Sequence, residues 1–101
     1  MLTGKQKSFL KSQAHDMQPI VQIGKNLVTE TIIDTTIKAL EARELIKISI
    51  LQNCLADSKE VANGIVEHTG AHLVQVIGRT IILYKKSTKL ENRKISSNLP
   101  K

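Results

Sequence analysis

Apolar residues recur along this chain in two periods, helical and strand-like, and their alternation sets the elements. Over residues 3–15, Phe9, Leu10 and Ala14 share a helical face with Gln6 and Gln13 at its margin. Lys7 and Lys11 are spaced i, i+4 and share another face, with Lys5 nearby. Pro19 disfavours helical backbone in the residue before it, so this helix ends over His15–Gln18. Ile20-Val21-Gln22-Ile23 is short, β-branched and bounded by Pro19 and Gly24, which predicts a strand. After a loop from Gly24, Thr29 suits an N-cap, with Glu30 and Asp34 in or near the first turn, where the helix dipole favours acids. The helix it opens is predicted to run to about Glu41, with a core stripe of Ile33, Ile37 and Leu40 broadened by Ile32 and Ala39. Thr31, Thr35 and Thr36 are weak helix formers, so packing must hold it.

Leu45 to Leu51 alternates as a strand with Ile46, Ile48 and Ile50 inward. Asp57-Ser58-Lys59-Glu60 resembles a capping box and opens a helix with Val61, Ala62, Ile65 and Val66 on one face. Gly70 is its expected left-handed C-cap. Residues 72–77 and 80–84 then flank Gly78-Arg79, a pair suited to a type II′ hairpin turn. Beyond Tyr84 the pattern dissolves into lysine, serine and asparagine. The order α-β-α-β-α-β-β predicts an α/β fold, an α+β sandwich in which one four-stranded mixed sheet packs with three helices. Residues 1–86 form one domain in this reading, and 87–101 a basic, disordered tail.

Composition adds three constraints to the 101 residues. Phe9 and Tyr84 are the sole aromatics, so the core is aliphatic. Cys54 is the single cysteine, which excludes an internal disulfide and points to a reducing cytoplasm. No apolar run approaches a bilayer span, and no signal-peptide pattern opens the chain. The net charge of +6 is concentrated at the end: from residue 85 on, Lys85, Lys86, Lys89, Arg93, Lys94 and Lys101 stand against Glu91 alone. Polyanions are the natural partners of such a chain, although a solubilising tail accounts for the same charges.

Catalysis finds little support. His15 and Asp16 diverge at a helix end, and Gly70 keeps His68 and His72 off one helical face. One cysteine excludes a paired-cysteine zinc site, and no phosphate-loop, dinucleotide or nucleophile-elbow motif occurs. No metal, cofactor or small-molecule substrate is expected. The loop from Gly24 to Thr29 holds more promise. Backbone N–H groups where a helix begins attract anions. Gly24 lets a phosphate approach, Lys25 adds charge, and Asn26 and Thr29 can donate hydrogen bonds. An ordinary strand-to-helix turn would also use a glycine. With Tyr84 the single aromatic on a strand, the sheet lacks the stacking platform of base-reading domains, so binding would rest on phosphates. His15 and Arg79, at the hairpin tip, are further candidate contacts, with ordinary surface roles as the alternative.

A set of blocks spanning residues 3 to about 86 resembles the CRM domain, the chloroplast RNA splicing and ribosome maturation domain, whose stand-alone bacterial form is YhbY-like. They are Leu10-Lys11, Ala14-His15, Pro19-Ile20-Val21, Ile23-Gly24-Lys25-Asn26, Thr29-Glu30, Ala39-Leu40-Glu41, Glu44-Leu45-Ile46-Lys47-Ile48, Thr69-Gly70-Ala71 and Val74 to Tyr84. The resemblance implies a fold similar to the C-terminal domain of translation initiation factor 3. It also implies RNA binding and, for the bacterial form, association with precursors of the large ribosomal subunit. The family loop is usually GxxG; here Leu27 replaces the second glycine.

The expected function is therefore RNA binding without catalysis, by a cytoplasmic monomer acting in ribosome assembly on large-subunit ribosomal RNA. Gly24, Lys25, Asn26, Leu27 and Thr29 form the expected contact loop. Lys5, Lys7, Lys11, His15, Arg79, Lys85 and Lys86 flank it. The alternative is a protein–protein adaptor docking through the sheet or an apolar helix edge.

Overall fold

The structure, a computed structural model, describes residues 2–26 and 28–101. It contains α1 (Gly4–Ala14), β1 (Val21–Ile23), α2 (Glu30–Arg43), β2 (Leu45–Ile50), α3 (Ser58–Thr69), β3 (His72–Ile77) and β4 (Thr80–Tyr84), followed by 3-10 turns at Leu90–Asn92 and Ser96–Asn98. The strands form one four-stranded sheet in the order β1-β2-β4-β3. β1 pairs parallel to β2, as the α2 crossover requires, and β4 pairs antiparallel to both β2 and β3. The three-helix, mixed-sheet architecture is the one the hydrophobic pattern predicts.

Thr29, Asp57 and Gly70 cap their helices as expected, and Thr3 adds a cap on α1. Thr3 and Gln6 exchange hydrogen bonds in a full capping box on α1, Thr29 Oγ1 accepts from Ile32 N–H, and Asp57 accepts from Glu60 N–H. Gly70 ends α3 at φ 73°, and Gly78 turns the β3–β4 hairpin at φ 56°.

The sheet is covered on both faces. On one face Ile46, Ile48 and Ile50 meet Leu40 from α2 and Val61, Ala62 and Ile65 from α3. On the other, Leu10 and Ala14 of α1 pack on Leu45, Val74, Ile82 and Tyr84. A bulge in β3 between Leu73 and Gln75 turns Val74 toward α1 while Leu73 and Val76 stay with the larger core.

Two expectations are corrected. The core stripe of α2 is Ile32, Thr36 and Leu40 rather than Ile33, Ile37 and Leu40. Thr36 is fully buried because its hydroxyl donates to Ile32 O at 2.7 Å, which removes the cost of burying it. Ile37 is 41% exposed. Residues 87–101 are not a disordered arm. Ile95 and Leu99 pack against the α1-side core, Gln6 donates to Pro100 O at 2.9 Å, and Ser87 is buried.

The tail is held by the end of α2. Glu44, the single residue between α2 and β2, is fully buried and adopts φ 65°, ψ −38°. It is the one non-glycine among the described residues with positive φ. Its carboxylate accepts N–H groups from Ser87 (2.7 Å), Ile95 (3.2 Å) and Ser96 (2.8 Å) and the Ser96 hydroxyl (2.7 Å). Glu41 accepts from Thr88 N–H, the Thr88 hydroxyl and the Ser87 hydroxyl. Burial pushes the Glu44 carboxyl up, but these donors outweigh it and hold it below the usual carboxylate range. The Tyr84 phenol is pushed up by burial and by the Glu44 charge beside it.

Candidate nucleic-acid interface

The loop after β1 lies at the carboxyl ends of two parallel strands. Leu51 N–H donates to Ile23 O at 2.8 Å, so the segment following β2 runs beside Gly24. A Cβ on Gly24 would lie 3.5 Å from Asn53 Oδ1 and 3.7 Å from Leu51 Cδ1, ordinary contact distances. Gly24 is not at positive φ, so neither backbone strain nor internal crowding demands glycine there. Its missing side chain leaves the main chain open to an approaching group. Lys25 and Asn26 are exposed in the turn, and Thr29 caps the fourteen-residue α2. The N-terminus of α2 therefore points its partial positive charge into this loop, partly offset by Glu30 in its first turn. Leu27 lies outside the described residues.

The remaining candidate residues divide between two ends of the sheet. Arg79 shares the end of the Gly24 loop, because Thr80 pairs with Ser49 near the carboxyl end of β2. Its guanidinium is engaged within the protein. It donates to Ala56 O at 3.0 Å, to Leu51 O and Ser58 Oγ at 3.4 Å, and to Cys54 O. Arg79 thus clamps the segment that borders Gly24.

The lysines of α1 lie elsewhere. Lys7 lines a surface depression with Val66, Ala71, His72 and Leu73, at the start of β3. β1 and β3 are opposite edges of the sheet, and the start of β3 lies level with Leu45, the first residue of β2. Three strand spacings alone separate Lys7 from the loop by roughly 14 Å. Lys7 and the loop are therefore two separate surfaces. Lys5, Lys11 and His15 are exposed on α1 and its C-cap. Lys85 Nζ donates to Thr69 O at 2.8 Å and neutralises the carboxyl end of α3. Lys86 is exposed beside it.

Asn53 is the residue missed from sequence. It is exposed and its amide faces Gly24, so it belongs to the same loop surface. Its only signal in the sequence is a place in the turn after β2, and that turn meets Gly24 only once β1 pairs with β2. No group of three or more metal-ligating side chains occurs among the described residues, and no described helix is long and apolar enough to cross a membrane.

Comparison with known proteins identifies the family. The chain is 54% identical over 95 residues to the Bacillus subtilis protein named "Probable RNA-binding protein YqeI", covering 94% of this chain and 97% of that protein. It is 38% identical over 86 residues to an RNA-binding protein of Haemophilus influenzae, covering 85% and 87% respectively. The solution structure of a hypothetical protein from Staphylococcus aureus superposes with a TM-score of 0.78 at 46% identity, covering 99% of this chain and all of that one. The model of the CRS1 / YhbY (CRM) domain matches residues 2–85, and the chain belongs to that family.

Proposed function

We propose that this protein binds RNA without catalysing a reaction on it, and that its target is large-subunit ribosomal RNA in assembling precursor particles. The observation that carries the reading is the Gly24 loop within a CRM domain: an open glycine, Lys25, Asn26 and Asn53 grouped at the N-terminus of α2. Such a surface suits phosphate oxygens, which accept from backbone N–H, amide and ammonium donors alike. With Tyr84 buried and Phe9 half-buried on α1, the structure presents no aromatic platform on the sheet for stacking bases. Recognition then follows backbone shape and depends on salt. The protein acts as a monomer in the cytoplasm in this reading.

The test is binding of purified large-subunit ribosomal RNA by the wild type and by Lys25→Glu at several salt concentrations. A loss of about tenfold or more for the variant is expected at low salt, where phosphate contacts are worth most. Equal affinities would overturn the loop mechanism.

A second reading, as an adaptor for another protein, has one observation in its favour. Val28, Ile33 and Ile37 of the α2 side face Gly64 and His68 of α3 across an open, mainly apolar cleft. Under this reading, association with precursor particles survives nuclease digestion of their exposed RNA.

A further inference from the structure

The docked tail gives fixed positions to charges that a free arm would scatter. Lys86, Leu90, Arg93, Ser96 and Ser97 line an open depression of about 230 Å³. Arg93 is half-buried, and its Nε–H donates to Ser87 O at 2.8 Å, which orients the guanidinium. That is the one hydrogen bond the guanidinium makes among the described residues, so its terminal nitrogens remain available to a ligand. Lys86 and Ser97 are exposed at the same depression. The carboxylates beneath, Glu41 and Glu44, are occupied by N–H and hydroxyl groups of the tail. A planar guanidinium, an ammonium and a hydroxyl lining one hollow suit a phosphodiester, whose single negative charge is shared by two oxygens that can each accept from these donors.

We propose that this depression is a second RNA-backbone site, in which Lys86, Arg93 and Ser97 hold one phosphate group. It rests on the reading of the chain as an RNA-binding protein. The site lies at the opposite end of the sheet from the Gly24 loop. Lys86 follows Tyr84, which pairs with Leu45 at the start of β2, whereas Gly24 follows Ile23, which pairs with Ile50 at its end. Six residues of β2 hold the two ends roughly 17 Å apart. One RNA can engage both ends only through different phosphates, so the two sites contribute separately to affinity and to its salt dependence. Glu44 is the positioning residue, because its carboxylate holds the tail at Ser87, Ile95 and Ser96.

The experiment measures binding of large-subunit ribosomal RNA, and of a short RNA duplex as non-specific control, across a salt series. It compares wild type, Lys25→Gln, Lys86→Gln with Arg93→Gln, and Glu44→Gly. The double variant is expected to lower the slope of log affinity against log salt by about 1, one phosphate contact's worth. Glu44→Gly is expected to weaken binding several-fold although it removes a negative charge, because it releases the tail; a melting curve confirms that the domain stays folded. If Lys25→Gln weakens binding while the double variant leaves affinity and slope at wild-type values, the tail site is overturned and the RNA reading stands. If the wild type binds neither RNA, both fall. Weakening by the double variant with wild-type affinity for Glu44→Gly would overturn the preorganised site in favour of a merely charged tail.

Discussion

Glu44 accepts the backbone N–H of Ser96 at 2.8 Å and its hydroxyl at 2.7 Å, joining the end of α2 to a residue 52 positions later. The same carboxylate takes Ser87 and Ile95 N–H groups, so one buried side chain joins three positions of the C-terminal segment. That burial is tolerated because its charge is met by several donors. The unusual backbone of Glu44, at φ 65°, is held in place by these bonds, by Glu44 N–H to Leu40 O at 2.7 Å and by Lys85 N–H to Glu44 O at 2.9 Å.

Glu44→Ala should cost about 2–4 kcal/mol, since it leaves the tail's donors without an acceptor and keeps the strained backbone. Glu44→Gly should be about 1 kcal/mol less destabilising than the alanine variant, because glycine accepts positive φ freely. Denaturant melts of the two variants give the order. An alanine variant as stable as the glycine one would contradict the strain at this position.

Acid should release the tail before it unfolds the sheet. The native pKa of Glu44 lies below the ordinary 4.5, so the unfolded chain binds more protons in that range. The stabilisation is fully present above about pH 4.5 and is lost as pH falls through the lower native value. Glu41, whose pKa is lowered chiefly by the Thr88 hydroxyl, acts in the same direction. Amide exchange at Ser87 and Ser96, corrected for intrinsic rates, should be steady between about pH 7 and pH 5 and lose protection below about pH 4. In Glu44→Gln that acid-dependent loss should shrink; an unaltered profile would show that another group is responsible.

Arg79→Ala should loosen the segment from Leu51 to Ser58 and cost about 1–2 kcal/mol, a value discounted for the solvent around most of its contacts. Lys25→Gln removes an exposed charge that has no ion-pair partner among the described residues, so it should leave the melting temperature unchanged while weakening RNA binding. Thermal melts and RNA titrations of the two variants separate the roles. Arg79→Ala that melts like wild type would show that the clamp carries no stability.

Gly24→Ala offers a sharper test of close approach. A Cβ there meets Asn53 and Leu51 at ordinary contact distances, so the variant should fold with an unchanged melting temperature. If a phosphate lies against the main chain at Gly24, the added methyl should weaken RNA binding by about 1 kcal/mol or more. Wild-type affinity for this variant would show that RNA contacts the loop through side chains alone.

Local chemistry made much of this protein legible from its residues. Thr29 and Asp57 cap helices, Gly70 ends one, Gly78 turns the hairpin, and the alternation in Ile46–Ile50 buries one face of β2. These signals act within a few residues, which is why pattern and propensity reach them. The Gly24 loop and its place at a helix start are legible for the same reason. Hydropathy alone ranks Ile33 and Ile37 above Thr36 for the α2 stripe, because an isoleucine is more apolar than a threonine. The Thr36 hydroxyl, satisfied by Ile32 O, took the core position, and Ile37 went to the surface.

Tertiary structure alone decided where the cations meet. Lys7, Arg79 and the Gly24 loop look interchangeable as basic surface in the sequence. The β1-β2-β4-β3 order sends Lys7 to the far edge, and carbonyl oxygens of the 51–56 segment claim Arg79. It alone brought Asn53 to Gly24, through pairing of β1 with β2. It also turned a polar, lysine-rich ending into a docked segment, because the donors that order it reach acceptors on Glu41 and Glu44 across 43 to 52 residues. The sequence by itself determined the elements, their order and the charge of this protein, since those follow from neighbours along the chain. Which charges face a partner and which are spent inside follows from contacts between residues distant in the chain, and only the folded structure set those.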